Sequence, residues 1–181
     1  SVQESASRRL AAQATAARLR AEVSGTALDF PPEVRRDPVL VATETALYEA
    51  RMDNLNKSLS GLTDSIDLVQ RELKLTESLN TMGATSDVEV LRLRRQAADL
   101  QTRASDLRTQ FLVRSREELA RANAEADVQR QVEIGRADTL SRLTLVSPVR
   151  GVVKDVEVKT VGGVIPPNGR LMVIGPSEDQ L

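Results

Sequence analysis

The chain of 181 residues contains no cysteine, no histidine and no tryptophan. Thiol nucleophiles, the usual zinc ligand sets and the commonest general base are therefore excluded, and most enzyme chemistry goes with them. A missing cysteine suits an oxidising compartment and a cytosol equally well, so it does not assign a location. Aromatic residues make up 2% of the chain, two Phe and one Tyr, too few for a large compact core. No apolar run approaches the roughly 18 residues of a membrane-spanning helix, and no signal peptide is visible. The charges are balanced, 25 basic against 26 acidic, and interspersed, which argues against a nucleic-acid partner and against a polybasic membrane patch. No phosphate loop, nucleophile elbow or metal constellation is present, so no enzyme, cofactor or metal site is expected.

What remains is helical grammar. Ala, Leu, Arg, Glu, Asp and Gln dominate up to residue 145. Residues 1–24 place Leu10, Ala14, Ala17 and Ala21 at helical spacing and stop at Gly25, predicting a first helix. The segment "GTALDFPPEVRRDP" follows as an elbow, with Phe30 packing it down. From residue 39 to about 82 a heptad seam runs through Tyr48, Met52, Leu55, Leu59, Leu62, Ile66, Val69 and Leu73. A third helix over about 86–141 carries Leu93, Ala97, Leu100, Ala104, Leu107 and Phe111, then a four-residue stutter before Leu119, Ala122 and Ala126. A short turn between two seams predicts an antiparallel hairpin, with its tip at 80–87. Asp53/Lys57, Asp67/Arg71, Asp99/Arg103 and Glu117/Arg121 are spaced as same-helix ion pairs, which accounts for the charge without a catalytic reading.

At residue 143 Val, Ile and Thr begin to cluster between Pro and Gly. Strands are expected at Leu143–Ser147, Gly151–Val158 and Arg170–Ile174, with Gly162, Gly163 and Gly169 making the turns between them. Three short strands are too few to stand alone.

The stretch "SPVRGVVKDVEVKTVGGVIPPNGRLMVIGP" resembles the second half of the lipoyl-like, or barrel-sandwich hybrid, module of membrane fusion proteins. These periplasmic adaptors include the hemolysin-D family of type I secretion, in which a long helical hairpin is inserted between the two module halves. The resemblance implies a fold that is mostly α with a small β part. Residues 1–142 would form the α-helical hairpin domain, a coiled coil of three helices, and residues 143–181 the C-terminal half of the lipoyl-like domain. It further implies a non-catalytic periplasmic adaptor joining an inner-membrane ABC transporter to a TolC-like outer-membrane channel. Such a subunit assembles as a homo-oligomer, expected to be a hexamer, around an exported protein substrate. The chain opens at Ser1 inside a helical pattern without Met, which leaves room for an anchor or an export signal upstream, and the resemblance implies an inner-membrane anchor outside residues 1–181. Lys154 and Lys159 lack the recognition motif of a lipoyl or biotinyl carrier. A coiled-coil scaffold and a drug-efflux adaptor are the alternatives.

Adaptors of this class are similar in bearing an Arg, a Leu four residues on and a Ser or Thr seven further, which meet the channel. Setting Ser86 last places Leu79 second and Leu75 where Arg would stand, with Arg71 and Lys74 nearby to supply the charge. The resemblance thus assigns docking to Leu79, Gly83, Ala84, Thr85 and Ser86. Independently, "SDVE" reads as a capping box in which Ser86 caps the third helix and Glu89 reaches back.

Overall fold

The computed structural model describes residues 2–158 and 160–176, so Ser1, Lys159 and residues 177–181 lie outside the described part. The order is α1 (Val2–Ser24), α2 (Pro32–Arg35), α3 (Pro38–Thr81), α4 (Asp87–Arg142), β1 (Gly151–Val156) and β2 (Met172–Pro176). Long helices and a small antiparallel sheet give the expected fold class. The chain divides into two compact units, residues 1–134 and 135–181. No helix among the described residues is long and apolar enough to cross a membrane.

In the first unit α3 and α4 form the antiparallel hairpin. Asn80 reaches Asp87, Glu77 pairs with Arg94 and Arg51 pairs with Glu118, so residue numbers rise on one helix as they fall on the other. The start of α3 is fixed locally: Asp37 is extended, its carboxylate accepts the Leu40 N–H at 3.1 Å, and Pro38 occupies the first turn. Over its 44 residues α3 extends about 66 Å at 1.5 Å per residue. In the distal part Val69, Leu93 and Ala97 are buried together, with Leu73 and Leu100 packed against them. Ala97 and Ala104 are both buried, and Ala97 sits as a small residue beside Val69. Asp53–Lys57 and Asp67–Arg71 form the expected same-helix pairs at 2.8 and 2.7 Å. Asp99/Arg103 and Glu117/Arg121 are not among the ion pairs of the described residues.

Helix α1 lies beside the lower hairpin, making it three-stranded there. Arg18 meets Glu44 and Glu22 meets Arg51, so α1 runs parallel to α3. Arg9 meets Glu133 and Glu22 meets Ser115, so it runs antiparallel to α4. The chain must then double back between Ser24 and Pro38. Gly25, at φ +67, turns it, its N–H still bonded to the Ala21 carbonyl at 2.9 Å. Phe30 and Val34 of the returning segment pack on Ala14 and Ala17. The elbow also contains the short α2, although two adjacent prolines read as a linker; Pro31 and Pro32 instead open its first turn. On the other side of α1, Ala16 and Leu19 bury against Ala122, with Leu119 packed alongside.

In the second unit β1 and β2 pair antiparallel, from Gly151 opposite Pro176 to Val156 opposite Met172, with a register shift between Val153 and Asp155. Every residue of β1 is exposed. The strand expected at Leu143–Ser147 is absent: α4 continues through Arg142 and the following residues are irregular. β-rich composition makes a strand only where another strand supplies its hydrogen bonds, and here the Ser147 hydroxyl donates to the Val149 carbonyl instead. Gly162, at φ +88, turns the connection between the strands. Gly163 donates to the Thr160 carbonyl and Gly169 to that of Pro166, closing the two turns of that loop.

Candidate functional site: the hairpin tip

The tip is built by a helix ending with its own lock. Met82 leaves the helical conformation, and Gly83 follows at φ +71, a region that costs an L side chain energy. The Gly83 N–H bonds the Asn80 carbonyl at 2.9 Å, and the Ala84 N–H bonds that of Leu79 at 2.9 Å. These two bonds make a Schellman ending, which satisfies carbonyls a helix terminus would otherwise leave open. Across the turn the Asn80 side-chain amide donates to Asp87 Oδ1 at 2.8 Å, tying the last turn of α3 to the first of α4. Sequence reasoning misses this clamp; its one signal is a short amide and a carboxylate seven residues apart across a glycine turn.

The expected capping box does not form. The Ser86 carbonyl accepts the N–H groups of Glu89 and Val90, while its hydroxyl has no hydrogen-bond partner among the described residues. The Glu89 carboxylate turns forward to Arg92 at 2.6 Å, and that hydrogen bond holds its pKa below the ordinary value. A guanidinium three residues on competes well with a single backbone N–H, because both partners are charged. Ser86 is left exposed with its hydroxyl uncommitted.

The five residues singled out from the sequence are all at this turn. Leu79 is half exposed, Gly83, Ala84 and Ser86 are exposed, and Thr85 is intermediate. Around them stands an apolar surface that the sequence pattern does not announce: Leu75, Met82, Val88 and Leu91 are 68%, 75%, 74% and 59% exposed. These large apolar side chains at one end of the hairpin belong to its surface rather than to a core. The Arg94–Glu77 pair, at 2.7 Å, bridges the helices just below. Arg71 is held by Asp67, so that of these two cations Lys74 is the one without an ion pair among the described residues. Among the described residues no group of three or more acids could hold a metal ion.

No protein-family model matches the chain, and no curated protein matches it. A solved structure does. The fold is similar to that of the soluble domain of LipC, a membrane fusion protein of a type I secretion system. The match has a TM-score of 0.56 and 21% identity, and covers 83% of this chain and 93% of the LipC domain. At that identity the likeness is one of fold.

Proposed function

We propose that this chain is the arm of an adaptor subunit, a membrane fusion protein of a type I secretion or related export system. In this reading it joins an inner-membrane ABC transporter to a TolC-like outer-membrane channel and has no catalytic step of its own. It works in the periplasm as one of about six copies around the exported protein, held to the inner membrane by a segment beyond residues 1–181. Residues 1–142 act as the helical arm, and residues 143–181 as half of a lipoyl-like module that stacks with its neighbours. The fully exposed β1 supports the half-module reading, since a two-stranded sheet needs further strands to be stable.

The observation that carries the reading is the tip: Leu79, Met82 and Val88 exposed beside the small residues 83–86, on a turn locked by two backbone bonds and the Asn80–Asp87 clamp. A rigid apolar end with small residues admits the ends of other helices closely. A Leu79→Asp variant of the complete protein should abolish export and capture of the channel while helicity stays unchanged. Secretion at the unmodified level would remove the docking assignment.

A further inference from the structure

Helix α1 is held on the hairpin by contacts of two unlike kinds. Its buried apolar face is mostly alanine, Ala12, Ala14, Ala16, Ala17 and Ala21, with Leu19 as its fully buried large side chain. Alanine gives small knobs, so this face grips its neighbours less firmly than a leucine face would, and a one-turn move costs it chiefly the fit of Leu19, whose place Thr15 or Val23 would take.

The charged contacts are position-specific. The Glu22 carboxylate, with no solvent exposure, meets Arg18 at 2.7 Å, Arg51 at 3.1 Å and the Ser115 hydroxyl at 2.9 Å. Arg18, 4% exposed, continues to Glu44 at 2.6 Å, and Glu44 also accepts the Thr15 hydroxyl at 2.9 Å. Arg51 continues to Glu118 at 2.8 Å and lies over the Phe111 ring at 5.7 Å. Burial opposes the charge on Arg18, but its hydrogen bonds to Glu44 and Glu22 outweigh burial and raise its pKa. No buried side-chain polar atom among the described residues lacks a partner.

Displacement by one turn destroys this in either direction. Four residues toward the tip, Arg18 takes the place of Glu22 and faces Arg51; four residues toward the base, Glu22 takes the place of Arg18 and faces Glu44. Each displacement brings like charges together where water does not screen them. A groove of about 210 Å³, lined by Leu55, Leu107 and Phe111 among others, lies beside Arg51 between α3 and α4.

We propose that the Arg18–Glu22–Glu44–Arg51–Ser115 network is an axial register lock. It selects one position of α1 along the hairpin by penalising its neighbours one turn away, while the alanine face supplies the adhesion. Buried charge in this role sets uniqueness rather than stability.

The chain has no cysteine, so Ala11→Cys and Asn56→Cys place two unique spin labels on α1 and α3. In the intact protein a double electron–electron resonance measurement should give one narrow distance. Replacing the network by apolar residues, Arg18→Met, Glu22→Leu, Glu44→Met and Arg51→Met, should keep α1 helical and add a second distance displaced by about 5 Å, one helical pitch. A second variant moves the charges up the helix, with Ala14→Arg, Arg18→Glu and Glu22→Ala, and should shorten the distance by about 5 Å as α1 slides tipward. A single unshifted distance in both variants overturns the proposal. So does a broad distribution with lost helicity in both, since the network would then be adhesive.

Discussion

The two ends of the helical unit solve the same problem with opposite chemistry. Near the tip two helices meet through Val69, Leu93 and Ala97, a dry seam in which the ion pairs stand outside. At the base three helices meet, and the charges go inside, around a carboxylate fully removed from solvent. The difference follows from what each must specify. A hairpin joined by a short turn has its register fixed by the turn and by large side chains alternating with small ones. A third helix with an alanine-rich face and a long return segment has less of both, with Leu19 as its fully buried large side chain, and draws on directional contacts as well.

Breaking the base should have the largest effect. Glu22→Ala leaves Arg18 with Glu44 alone and Arg51 with only the part-exposed Glu118, and removal of one member of such a buried network costs about 3–5 kcal/mol. Loss of α1 from the hairpin, read as rapid amide exchange over Val2–Ser24 while the distal helices stay protected, is the expected outcome. Leu93→Ala tests the other end. Leu93 is fully buried, and the cavity should cost about 2–4 kcal/mol, with lost protection confined to the distal hairpin. If either substitution destabilises both regions alike, the two ends are one cooperative unit and the contrast fails.

Gly83→Ala should cost about 1 kcal/mol, because the open space around it does not relieve a positive φ. Thermal unfolding should shift by a few degrees, without loss of the base. The smallest effect concerns pH. The Arg9 hydrogen bond at 2.6 Å lowers the Glu33 pKa, so that contact stabilises above the ordinary carboxylate value of 4.5 and fades as pH falls through the lowered one. Glu33 is largely exposed, so at most about 1 kcal/mol is lost, visible as increased exchange in the return segment below pH 4.5.

The seam was legible because its signal is repetition: eight apolar positions from Tyr48 to Leu73 keep a three-four spacing that survives a glycine. The tip was legible for the same reason, as the place where the repetition stops. The base was not. Arg18, Glu22, Glu44 and Arg51 look in sequence like any solvated charge, and only tertiary packing turns them inward. One trace was present: the stutter between Phe111 and Leu119 puts Ser115 in the position a seam residue would take, and a buried hydroxyl needs a partner. The absent strand at Leu143–Ser147 shows the reverse failure, since local composition cannot provide a pairing partner.

The doubled-back connection has a mechanical consequence. Because α1 runs parallel to α3, a load applied between the start of α1 and the far end of the hairpin acts along the helix axes and strains all their contacts at once. Rupture in that direction requires shearing Arg18 from Glu44 and Glu22 from Arg51 together. A sideways load would peel them one at a time. The arm is thus stiff under axial tension and weak to lateral prying.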